Sequence, residues 1–75
     1  MDEISEKYLL ALYNETNGRV GKGVDQHDVG KTIGLGLNVT DKVVQGLCNL
    51  GLAKVIGIGG DLAITEAGVE AIKKS

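Results

Sequence analysis

Two short helical patterns with only about four residues between them constrain this chain more than any other feature. Residues 26–33 carry Val29 and Ile33 at i, i+4. Residues 39–50 carry Val43, Leu47 and Leu50 at i, i+4 and i+7, with Val44 beside them, so each segment has one apolar stripe at helical spacing. Gly34-Leu35-Gly36-Leu37 joins them, a turn with two apolar plugs. Asp25 is placed to cap the first helix, with Asp28 three residues on, and Asn38 is expected to cap the second, with Asp41 repeating the pattern. Gly34 ends the first helix. Gly51, followed by Leu52, takes the position just past the end of the second.

The flanking segments supply the rest of a core. Residues 3–16 read as a helix: Ile4, Tyr8, Ala11 and Leu12 form one stripe, and Leu9, Leu10 and Tyr13 widen it past half the circumference. A helix so apolar is buried from two sides or offers a face to a partner. Ile4, Tyr8 and Leu12 are assigned to the core, whereas Leu9 and Tyr13 suit either role. Asn17-Gly18 stops this helix, and the glycine-rich loop 19–23 leads to Val24, a candidate one-residue strand. After Leu52 the period changes from helix to strand. Residues 53–56 and 62–65 read as two strands, with Gly59-Gly60-Asp61 in the turn as a hairpin signal. Thr65 then caps a last helix over 66–74, with Val69 and Ile72 inward.

Composition narrows the function classes. Seventy-five residues make one domain, over 1–75. With no Phe or Trp and two tyrosines, the core is aliphatic. The single cysteine, Cys48, excludes an internal disulfide and fits a reducing compartment. The acidic start, Met1 to Glu6, does not read as a signal peptide, and no run is long and apolar enough for a membrane span. A cytoplasmic protein with no membrane partner is therefore expected. The net charge is −2. Four acids against Lys7 make the first sixteen residues acidic. The middle is faintly basic, with Arg19, Lys22, Lys31, Lys42 and Lys54 against four aspartates.

The order helix, helix, short turn, helix, hairpin, helix, with glycine in the short turn, is a helix-turn-helix signature with the third helix exposed on one side. Two stretches carry a resemblance. Residues 28–52 combine an apolar helix, a glycine-leucine turn and a helix ending in Leu47-Cys48-Asn49-Leu50-Gly51-Leu52. Ile64-Thr65-Glu66-Ala67-Gly68 is similar to the segment that closes the wing in MarR-type regulators. The chain thus resembles the winged helix-turn-helix domains of bacterial and archaeal transcriptional regulators. The fold so implied is mainly α with a small β element (α+β): a three-helix core, a β-hairpin wing and a C-terminal helix.

The resemblance further implies binding of double-stranded DNA, with helix three in the major groove and the wing on the backbone. Carried over by position, the outward face of helix three is Val39, Thr40, Asp41, Lys42, Gln45 and Asn49. Gln45 and Asn49 have the amide that pairs bidentately with adenine, and Thr40 can meet a phosphate or a thymine methyl. Lys42, Lys31, Lys54 and Arg19 are the phosphate contacts. The resemblance also implies a homodimer through helix one and the C-terminal helix. Three features point elsewhere: the first helix is acidic, the wing tip, Gly57-Ile58-Gly59-Gly60-Asp61, has no positive charge, and the net charge is −2, while Asp41 departs from the family by standing where a phosphate would repel it. They support an alternative in which the winged helix is a protein–protein interaction module.

Sharper readings of single residues find little support. Gly30-Lys31-Thr32 resembles the end of a phosphate-binding loop, but Asp25 stands where that loop needs glycine. His27 has no second ligand or base partner in the sequence and reads as an exposed helix residue. Cys48 has no base beside it and reads as a structural thiol. Gly46 is expected to let helix three pass close to helix one, and Gly68 to seat the last helix on the hairpin. No catalytic residue, cofactor or metal ligand is identified, so the chain is not expected to be an enzyme.

Overall fold

In a computed structural model, which describes residues 1–75 throughout, the chain forms α1 (Glu3–Thr16), α2 (Gln26–Thr32), α3 (Leu37–Asn49), β1 (Ala53–Ile56), β2 (Asp61–Ile64) and α4 (Glu66–Lys73). It is an α+β fold of four helices and one antiparallel hairpin.

Local chemistry sets most of these boundaries. Asp2 starts α1 by accepting the Ser5 N–H at 2.7 Å, and Asn17 ends it in the left-handed region. Asp25 starts α2 by accepting the N–H groups of His27 and Asp28 at 2.8 and 3.1 Å, so two otherwise unpaired helix-start donors share one carboxylate. The two helices of the central pair end alike. Leu35 N–H donates to Gly30 O and Gly34 N–H to Lys31 O; Leu52 N–H donates to Leu47 O and Gly51 N–H to Cys48 O. Both are Schellman closures, and each needs its glycine at positive φ, +77° at Gly34 and +75° at Gly51.

Helix α3 departs from the sequence reading at its start. It begins at Leu37 with Gly36 as cap residue, and no side chain caps it. Asn38 and Asp41 therefore do not form the expected capping pair. The closure of α2 uses residues up to Leu35, so the chain re-enters helix one residue after it and Asn38 falls inside the first turn. Leu37, expected as a plug in the turn, is exposed for the same reason.

The core gathers Tyr8, Leu9 and Leu12 of α1, Val29 of α2, Val44 and Leu47 of α3, and Ala53, Leu62 and Ile64 of the hairpin. Leu9, left open by the sequence, is fully buried, and Tyr13 is half-buried. Ile4 is not a core residue: it is 46% exposed, because the buried stripe of α1 begins a full turn later, at Tyr8. Leu50 is 62% exposed. It is the cap residue of α3, past the last helical turn, and the inward stripe is instead Thr40, Val44 and Leu47 at i, i+4 and i+7.

The hairpin pairs Ala53 with Ile64 and Ile56 with Asp61, the second strand running one residue earlier than the sequence pattern suggested. Its outer neighbour is Val24, which exchanges both backbone hydrogen bonds with Leu62 at 2.9 and 2.8 Å. β2 is thus flanked on both edges, and Leu62, Ala63 and Ile64 are all buried. Thr65 ties three elements: its hydroxyl donates to Gly51 O at 2.6 Å and accepts from Gly68 N–H at 3.1 Å. Gly68 lies so close to the Leu52 carbonyl and the Ile64 side chain that a β-carbon there would overlap both, which seats α4 on the hairpin as expected.

Candidate nucleic-acid interface

Helix geometry divides α3 into faces. At roughly 100° per residue, Asn38, Lys42, Gln45 and Asn49 fall within roughly 60° of one another, opposite the Thr40–Val44–Leu47 stripe that enters the core. All four are exposed. No acid lies at these positions, and an amide, an ammonium and two further amides are presented in sequence along the helix. Such a set suits hydrogen bonding to base edges and attraction to phosphate.

Thr40 does not belong to this face. It is 1% exposed, on the opposite side of α3, with its hydroxyl against the backbone of Gly30 and without a hydrogen-bond partner. A Thr40 contact to DNA is therefore ruled out. Its i, i+4, i+7 relation to Val44 and Leu47 is a legible core signal that its polar side chain conceals. Gly46 is also misplaced by the sequence reading: it is exposed, and nothing lies within 4 Å of where its β-carbon would be. The close helix–helix approach is made by Gly30 of α2.

His27 and Asp41 join α2 to α3. The His27 Nε2 lies 2.7 Å from Asp41 Oδ1, with the two side chains 38% and 60% exposed. His27 is thus a half-buried interhelical partner, and Asp41 is turned toward it. The pairing is across fourteen residues, so no spacing rule within one helix announces it.

The remaining cations are free. Apart from the His27–Asp41 hydrogen bond, the only contact between a basic side chain and a carboxylate is an exposed Lys7–Glu3 pair at 3.5 Å, which leaves Arg19, Lys22, Lys31, Lys42 and Lys54 outside any salt bridge. Lys31 and Lys42 lie on the helix pair. Lys54 of β1 lines a shallow cleft with Val20, Gly21, Thr65 and Glu66, beside the loop that carries Arg19. The structure thus brings Lys54 to that loop, while no hydrogen bond or ion pair links either of them to the α3 stripe.

The hairpin tip is anchored from α2. The Gln26 side-chain amide donates to Gly60 O at 3.0 Å, while the Gln26 carbonyl accepts from the Tyr8 hydroxyl at 2.8 Å. Gln26 therefore connects the buried end of α1 to the turn between the strands. At the tip, Ile58 is fully exposed. Burial pushes the Tyr8 hydroxyl well above the ordinary tyrosine range, with the Asp25 carboxylate adding to the effect, so it is held as a donor. Burial likewise pushes the Cys48 thiol up, against a smaller opposing effect from the Val55 backbone, which disfavours the thiolate.

No group of three or more His, Cys, Asp or Glu side chains converges on a point where a metal ion would be held. No helix is long and apolar enough to cross a membrane. Compared with protein-family models, curated proteins and solved structures, the chain matches none.

Proposed function

We propose that this chain is a winged helix-turn-helix module that binds double-stranded DNA, as a small transcriptional regulator or the DNA-binding part of one. The observation that carries the reading is the outward stripe of α3. Lys42, Gln45 and Asn49 stand exposed on a helix whose other side is locked into the core, beside a hairpin held by Gln26. Lys31, Lys54 and Arg19 add cations that form no salt bridge. On this reading Gln45 and Asn49 meet base edges and the cations meet phosphates. The chain has no catalytic role in it.

The alternative, a protein–protein module, is favoured by the flank of α3 and by the hairpin tip, where Val39, Leu50 and Ile58 are exposed. The experiment that separates the two is a titration of isotope-labelled protein with mixed-sequence duplex DNA, recording amide shifts at low and moderate salt. DNA binding moves Lys42, Gln45 and Asn49, and the shifts shrink with salt because neutralised phosphates release counterions. Unmoved amides at low salt leave the protein-partner reading.

Self-association through α1 and α4 belongs to the same proposal. A groove of about 300 Å³ between these helices is lined by Met1, Leu9, Leu10, Ala71 and Ile72, together with Glu6 and the Glu3–Lys7 pair. We propose that a two-fold pairing buries this largely apolar groove against a second copy of the chain.

A further inference from the structure

Gly46 has no use inside the fold. It lies in the body of α3 with ordinary helical φ, is exposed, and leaves open space where a side chain would begin. A glycine inside a helix is less favourable than alanine, because it loses more backbone freedom on folding. The contrast with Gly30 and Gly68 is direct: at each of those a β-carbon would overlap a neighbour. Gly46 leaves a notch in the α3 surface, with Lys42 and Asn49 one turn away along one edge and Val43 and the exposed Leu50 along the other.

We infer that this notch is where a DNA strand comes closest to α3, admitting sugar-phosphate against the bare helix backbone with Lys42 and Asn49 along its polar edge. Charge complementarity selects the occupant. Lys42 stands at the edge of the notch without an ion pair. No carboxylate lies on the stripe, and the nearest acid of α3, Asp41, is engaged by His27 at 2.7 Å. The inference rests on the DNA-binding reading above and adds a positioning residue to it: Gly46 sets how deeply the helix seats.

The test compares the full chain with Gly46→Ala and Gly46→Gln, by thermal melting and by fluorescence anisotropy with a mixed-sequence duplex at low salt. Gly46→Ala is expected to raise Tm by about 2–8 °C, the helix-propensity gain for a domain of this size. The same variant is expected to weaken DNA binding about fivefold or more, as an overpacked contact does. Gly46→Gln is expected to weaken it further, although it adds a hydrogen-bonding side chain to the face. Unchanged affinity in both variants overturns the role of Gly46 and leaves the DNA reading standing. A wild-type chain that does not bind the duplex overturns both. A lowered Tm in Gly46→Ala shows a structural need for the glycine and removes the premise.

Discussion

The Thr40 hydroxyl of α3 rests directly on the backbone of Gly30 in α2, where any β-carbon would overlap it. This contact sets the spacing of the two helices that the short Ile33–Gly36 connection joins, and it holds the outward stripe of α3 at a fixed distance from the core.

Gly30→Ala is therefore expected to destabilise the fold by about 1–3 kcal/mol, the usual effect of overpacking, even though alanine is the better helix former. Thr40→Ala in the same chain should return part of that loss, since the two sites share one contact. Thr40→Val alone removes a buried hydroxyl that has no partner and is expected to be neutral or mildly stabilising. Urea unfolding of the parent, Gly30→Ala, Thr40→Ala and the double variant measures the coupling, and additive effects would show that the helices are not locked here.

Tyr8→Phe deletes the donor to the Gln26 carbonyl and is expected to cost about 1–2 kcal/mol, because a part-buried acceptor loses its partner. It also tests an alkaline limb. The folded-state pKa of Tyr8 is raised above its ordinary value of 10.0, so the associated stability is complete below that pH and is lost as pH rises beyond it. The phenylalanine variant, with no hydroxyl to titrate, lacks this dependence. A parent and variant that lose stability in parallel above pH 10.0 would contradict it.

At the acid end the sign reverses. Asp25 is held below the ordinary aspartate value of 3.8 first by the Asp28 N–H and then by the His27 N–H. Its contribution is present above pH 3.8 and is lost as pH falls through the lower folded-state value. Asp2 behaves alike through Ser5. Asp25→Ala is expected to lower the urea midpoint at neutral pH and to flatten its decline in acid, whereas Asp25→Asn, which keeps a capping oxygen, should fall less at neutral pH.

Leu10→Glu puts a charge into the apolar part of the α1–α4 groove, whose lining already holds Glu3, Glu6 and Lys7, at a residue that is 48% exposed. Sedimentation is expected to show self-association in the parent and its loss in this variant, with Tm within a few degrees of the parent because no core contact is removed. Identical sedimentation of the two proteins would remove the dimer proposal.

Chemistry carried by adjacent residues was readable in the chain alone. The caps at Asp25 and Thr65, the closures at Gly34 and Gly51 and the hairpin all follow from residues within a few positions of one another, because hydrogen-bond rings and turn angles are local, whereas Val24, a candidate strand residue in the sequence, found its partner Leu62 only in the folded chain. The spacing of apolar residues placed Tyr8, Leu12, Val29 and Leu47 in the core; the family resemblance set Lys42, Gln45 and Asn49 outside it, as they are, and Thr40 with them, which is buried. Where two stripes compete on one helix, periodicity alone does not choose. Val43–Leu47–Leu50 and Thr40–Val44–Leu47 have the same spacing; Leu47 is buried and Val43 packs against the core, but Leu50 is exposed and the fully buried stripe is the one that contains Thr40. Only packing resolved them: α2 lies across α3 at Gly30, which admits Thr40, while α3 ends before Leu50 can turn inward. The same holds for His27 with Asp41 and for the empty notch at Gly46. These depend on which helix lies against which, and that distance exists only once the chain has closed on itself.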